Sequence, residues 1–130
     1  MKITNVAYVG YPVTDIARAR HFYEKVLGLK TGDIVEENDK PGEGNFSWIE
    51  YDVAGQTLAI SNAWPPSGKS GPSIALEVEE DLATAVAQLK AAGATVTMEH
   101  IPSPVCDMAV ITDPDGNSII IHKLKPGHTH

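Results

Sequence analysis

Apolar and polar positions along this chain change their period, and the changes occur twice. In residues 8–13, YVGYPV, the side chains of Val9, Tyr11 and Val13 fall on one face of an extended segment and those of Tyr8, Gly10 and Pro12 on the other. The period then lengthens. Ile16, Ala19, Tyr23, Val26 and Leu27 recur at three- and four-residue steps, which predicts an amphipathic helix with Asp15 at its start and Gly28 at its end. The same order returns further on. Ile74, Leu76 and Val78 alternate within residues 73–78, and Leu82, Val86 and Leu89 form a second helical stripe. Glu79, Glu80 and Asp81 stand at the positive end of that helix and Gly93 closes it. The two spans share an offset of 65 residues, seen in Tyr8 and Ser73 and again in Gly28 and Gly93.

Further alternation follows each helix. Leu58 and Ile60 mark the inward face of a fourth strand, and Ile119 and Ile121 that of an eighth. The turn DVAG, ending at Gly55, is echoed by DPDG, ending at Gly116, an offset of 61 residues. DPDGN, residues 113–117, predicts a hairpin joining strands seven and eight. Each half therefore reads as strand, helix and three strands, an α+β fold of two βαβββ half-repeats over about 1–62 and 73–125. The expected architecture is a single domain, 1–130, whose curved mixed sheet carries its helices on the outer face and a concave cleft on the other. Residues 63–72, AWPPSGKSGP, read as a linker, and 37–45, ENDKPGEGN, as a polar loop that borders the cleft.

Composition narrows the partners. Ten basic against seventeen acidic residues give a formal charge of −7, which argues against a phosphate backbone or an anionic membrane surface. The single cysteine, Cys106, has no internal partner for a disulfide, and no run of about 18 apolar residues is present to cross a bilayer. The opening residues lack the pattern of a secretory signal, and GHTH at the end reads as a frayed tail. The expected location is the cytoplasm. Phosphate-binding loops, nucleophile elbows, HExxH and CxxC are all absent.

Three segments carry a resemblance. PVTDIARARHFYEKVLGLK, EVEEDLATAVAQLKAAGATV and ITDPDGNSIIIH resemble, in order and spacing, the vicinal-oxygen-chelate superfamily of glyoxalases, bleomycin-resistance proteins and extradiol dioxygenases. That superfamily hosts many reactions as well as metal-free drug binders, so the resemblance implies a fold and not a reaction. Its metal-dependent members hold a divalent ion through His, Glu or Gln on the first, fourth, fifth and eighth strands. Carried over, those positions are Tyr8, Ala59 (or Ser61 if the register slips by two), Ser73 and Ile120. None is a usual ligand for such metals, so the reading is a site without metal or cofactor.

What remains on the cleft-facing side is a set of candidates. His122 lies two residues beyond Ile120, and counting back across the turn places Met108 opposite His122 with Cys106 nearby. Tyr8 adds a phenol, Glu77 a carboxylate, Ser61 and Ser73 hydroxyls, and Trp48 and Trp64 aromatic walls. One reading makes His122 a general acid/base and Cys106 a ligand-holding or attacking thiol; the other makes them a strand-end histidine, with nothing to orient it, and an apolar filler. Glu50 and Asp52 share the third strand with Trp48 and serve equally as an exposed face, while His21 and His100 carry no assigned role.

The expected function is binding of a small apolar or aromatic molecule in a metal-free cleft, through Tyr8, Ala59, Ser61, Ser73, Cys106, Met108, Ile120 and His122. The alternative is a lyase or isomerase of the same superfamily, with acid/base chemistry on His122, Tyr8 or Glu77. The resemblance also implies a homodimer, with half-repeats exchanged or not.

Overall fold

The computed structural model describes residues 1–2, 4–38 and 45–128, with the backbone alone at Lys69. Most of the loop expected at 37–45 and the last two residues of the tail lie outside the described residues. The chain divides into two compact units, Met1–Pro66 and Ser67–His130, and the division falls inside the stretch read as a linker. That stretch is not featureless: Gly68–Ser70 form a short 3-10 turn.

In the first unit β1 is Val9–Pro12, α1 Ile16–His21, β2 Lys30–Glu36, β3 Trp48–Val53 and β4 Gln56–Ser61. In the second, β5 is Ile74–Glu77, α2 Leu82–Ala91, β6 Thr95–Pro102, β7 Cys106–Thr112 and β8 Ser118–Leu124. Each unit is a four-stranded mixed sheet, in the order β1-β4-β3-β2 and β5-β8-β7-β6, the first pair parallel and the rest antiparallel. The fold is thus α+β, built from two βαβββ half-repeats.

Register explains why the alternation was legible. Tyr11, Ile60 and Ile49 stand in one cross-strand row, and Val9, Leu58 and Tyr51 in the next of the same parity. Ile49, Tyr51, Leu58 and Ile60 are at most 1% exposed. In the second unit Ile119, Ile121, Ala109 and Ile111 are equally closed, with Leu82, Ala85, Val86 and Leu89 of α2 also buried. Each buried Val, Leu or Ile side chain contributes about 1.5–3 kcal/mol of transfer free energy, so each unit is stabilised by its own buried face. The opposite face of each sheet carries no helix of its own unit.

The helices obey their caps. The Asp15 carboxylate accepts from the Arg18 N–H at 3.0 Å, and Asp81 accepts from Thr84 at 2.8 Å. The constant 65-residue offset conceals two compensating changes, however. The capping aspartates are 66 residues apart, because β5 is followed by one extra residue before its helix. The first helix restores the offset by accommodating an extra residue in a π turn, Phe22–Val26, closed by Leu27 N–H donating to Phe22 O at 2.9 Å. The turn buries Phe22 and Tyr23 together and sets Tyr23 against Tyr51, ring centroids 5.9 Å apart.

Below that stack lies a charged network. Arg20 donates to Glu24 at 2.6 Å and to Glu37 at 2.7 Å, and the Tyr51 hydroxyl donates to Glu24 at 2.9 Å. The Arg20 hydrogen bond holds the Glu24 carboxyl below its ordinary range, while burial, then the hydrogen bond to Glu24, pushes the Tyr51 phenol up.

Candidate functional site

The helix-free face of the first unit is defined by two cross-strand rows. Gly10, Ala59 and Glu50 form one; Pro12, Ser61 and Trp48 form the other. Tyr8 precedes β1 and is 49% exposed. Its ring meets Trp48 edge to face at 5.1 Å, and Trp48 lies 6.3 Å from Trp64. Gly10 allows this approach, because a Cβ there would stand 3.1 Å from the Trp64 ring and 3.5 Å from that of Tyr8. The indole N–H of Trp48 donates to Glu50 at 2.9 Å, which fixes the ring against the strand. Trp64, read as part of a linker, thus belongs to an aromatic cluster.

Ala59 and Ser61 are both fully buried. The Ser61 hydroxyl donates to Ser47 O at 2.8 Å and accepts from Ala63 N at 3.1 Å. The Ser61 hydroxyl is therefore engaged within the first unit, and Ala59 has no side-chain donor or acceptor.

On the second unit the helix-free face carries Ala75, Ile120 and Val110 in one row and Glu77, His122 and Met108 in the next. Met108 does pair with His122, as the count across the turn predicts. Contrary to expectation, His122 is oriented. Its Nδ1 lies 2.5 Å from Glu77 Oε1, and the other Glu77 oxygen accepts from the Leu124 N–H at 2.9 Å. The parallel pairing of β5 with β8 makes this contact, which no adjacency in sequence discloses. The His122 side chain is 13% exposed and that of Glu77 39%. Ser73, directly before β5, is exposed. Cys106 is 5% exposed with the Ser103 hydroxyl 3.0 Å from its sulfur, the surroundings of a packed side chain.

The metal positions can be judged by their donors. Gly10 pairs with Ala59, and Ala75 with Ile120, so Ala59 and Ile120 are equivalent across the repeat, as their offset implies. Neither an alanine nor an isoleucine side chain carries a donor atom. Tyr8 and Ser73 leave at most two weak oxygen ligands. Among the described residues, no three His, Cys, Asp or Glu side chains converge to hold an ion. The residues present do not fit a family metal at its usual place.

A family model for the Glyoxalase/Bleomycin resistance protein/Dioxygenase superfamily matches residues 5–121. The chain belongs to this superfamily. No curated protein matches the sequence. Among solved structures, TnmS3, an antibiotic binding protein from Streptomyces sp. CB03234, is 25% identical with a TM-score of 0.73, over 96% of this chain and 99% of that one. A putative glyoxalase family protein from Bacillus anthracis is 20% identical at a TM-score of 0.74, over 96% and 98% of the two chains. A superfamily member from Sphaerobacter thermophilus DSM 20745 is 20% identical at 0.68, covering 93% and 98%. The last two speak for the fold alone. No helix among the described residues is long and apolar enough to cross a membrane.

Proposed function

We propose that this superfamily member binds a small apolar or aromatic molecule without a metal, on the helix-free face of a sheet. The observation that carries the reading is the cluster of Tyr8, Trp48 and Trp64, exposed aromatic surface held in place by Gly10 and Glu50. On the first unit the candidate contacts are Ala59 and Ser61 beside the aromatic cluster; separately, the second unit offers Ser73, Met108, Ile120 and His122 on its own helix-free face, with Cys106 packed at the start of β7. The likeness to an antibiotic binding protein supports the reading, and the donor-poor positions Ala59 and Ile120 support its metal-free character. The working assembly is a cytoplasmic homodimer, for which light scattering gives the mass.

Titration of intrinsic tryptophan fluorescence with a panel of aromatic antibiotics, with and without added Zn²⁺ or Ni²⁺, tests the proposal. Saturable quenching that is indifferent to metal is the expected result. Absence of any binder, or binding only with metal, overturns it.

A second reading has its own observation. A neutral imidazole that donates from Nδ1 to Glu77 carries its lone pair on Nε2, the form suited to accept a proton. A lyase or isomerase could use His122 in this way, with Glu77 holding the ring; Tyr8, on the first unit, is a separate candidate for proton transfer. Turnover of an aromatic carbonyl substrate that falls by about 100-fold or more in His122→Ala would establish it. Turnover unchanged by that substitution would remove it.

A further inference from the structure

We infer that the ligand of the first unit carries a positive charge, an ammonium or guanidinium group placed between the aromatic cluster and Glu50; the inference rests on the binding reading above and names the chemistry it selects. Glu50 occupies an unusual row. Its cross-strand neighbour is Ala59, followed by Gly10, and on the other side a Cβ at Gly32 would lie 3.6 Å from the Glu50 carbonyl oxygen. Neither Ala59 nor Gly10 carries a large side chain, and the Trp64 and Tyr8 rings cover the Gly10 end, which leaves Glu50, beside Trp48, in a trough on the Gly32 side.

The trough opens into a hollow of about 510 Å³, whose lining includes Glu50, Asp52, Asp33 and Thr57. Lys30 stands opposite Asp52 in the register, so on β2 the lysine is aligned with the other carboxylate. The aromatic cluster adds an independent preference of the same sign. Indole and phenol faces are the negative poles of their rings and attract a cation within about 6 Å, most strongly at tryptophan. The indole N–H that donates to Glu50 at 2.9 Å lies in the ring plane, so the carboxylate stands at the edge of Trp48, and a cation on it reaches the adjoining ring face. A metal ion is the wrong occupant, since no three ligating groups converge among the described residues. An organic cation needs no such convergence. It takes one carboxylate and two or three ring faces, and the formal charge of −7 favours its approach.

The test uses three probes of one shape: tyramine, cationic; 4-ethylphenol, neutral; and 4-hydroxyphenylacetate, anionic. Each is titrated against the whole chain by tryptophan fluorescence and by two-dimensional NMR. Tyramine is expected to bind at least about fivefold more tightly than 4-ethylphenol, and the anion more weakly than either. In Glu50→Gln the amide oxygen still accepts from Trp48, so the cluster keeps its geometry. The ratio of the tyramine and 4-ethylphenol affinities should then fall to about one. Trp64→Leu should weaken both. Equal affinities in the unaltered protein, or a preference that survives Glu50→Gln, overturn the inference and leave the binding reading standing. Absence of binding by all three overturns both.

Discussion

The two half-repeats share a topology and differ at nearly every position that carries chemistry. Where the first sheet places Pro12, Ser61 and Trp48 in a row, the second places Glu77, His122 and Met108. Where the first has Gly10, Ala59 and Glu50, the second has Ala75, Ile120 and Val110. The buried faces did not diverge in this way: Ile60 and Ile121 are both isoleucines at 0–2% exposure. Packing constrains a buried face to apolar side chains of suitable volume, whereas the helix-free face was at liberty to become an aromatic platform in one unit and an oriented histidine in the other.

The hairpin turns offer the strongest way to break the comparison. Asp113, 4% exposed, accepts from the N–H groups of Asp115 and Asn117 and from the Asn117 amide, at 2.8–2.9 Å. Its counterpart Asp52 accepts from Gly55 N–H at an exposed site. Asp113→Ala should cost about 3 kcal/mol in urea unfolding, because buried donors lose their acceptor, and Asp52→Ala under about 1 kcal/mol. Equal costs would mean that the second turn is no more structural than the first.

The network under α1 comes next. Tyr51→Phe removes a hydrogen bond to a carboxylate and should cost about 1.5 kcal/mol, with Ile111 of the second unit having nothing comparable to lose. Glu24 also links stability to pH. Its folded pKa lies below the ordinary 4.5, so its stabilisation is complete above that value and fades as pH falls through the folded pKa. Unfolding midpoints followed from pH 7 to pH 3 should therefore drop more steeply for the unaltered chain than for Glu24→Gln.

Exchanging the small residues sharpens the contrast between the two faces. Gly10→Ala forces Trp64 to give by a few tenths of an ångström, and should shift tryptophan emission and weaken aromatic ligands about threefold at a stability change within about 1 kcal/mol. The reverse change, Ala75→Gly, should leave the emission untouched. The smallest effect concerns the β3–β4 turn, where Ala54 at φ 51° and Gly55 at φ 85° both occupy left-handed backbone. Ala54→Asn should raise stability by about 0.5 kcal/mol, since asparagine tolerates that conformation better, as thermal unfolding would register.

Several of these features were legible beforehand. Alternation identified Leu58, Ile60, Ile119 and Ile121 as core, and counting across DPDGN placed Met108 beside His122. The Asp15 cap was visible too, because each of these rests on neighbours within a few residues or on one tight turn; Asp81 read only as one of three acids at the start of α2, and the structure singles it out as the cap. The candidate site was less legible. Trp64 was a candidate wall by residue type alone, in a stretch rich in proline, glycine and serine, and its position over Gly10 is what the tertiary structure added. The π turn was hidden because the extra residue it absorbs is balanced by one before α2, leaving the 65-residue offset intact.

The repeat itself, the inward-facing residues and the lack of donors at Ala59 and Ile120 were determined by the sequence alone. Side-chain type and local period suffice for those. Tertiary structure decided which polar groups meet. The parallel pairing of β5 with β8 brings Glu77 to His122 across 45 residues, and that of β1 with β4 sets Gly10 beside Ala59 in the row that ends at Glu50. Such contacts depend on strand register, and register is fixed by the burial of a whole face rather than by any residue near the site.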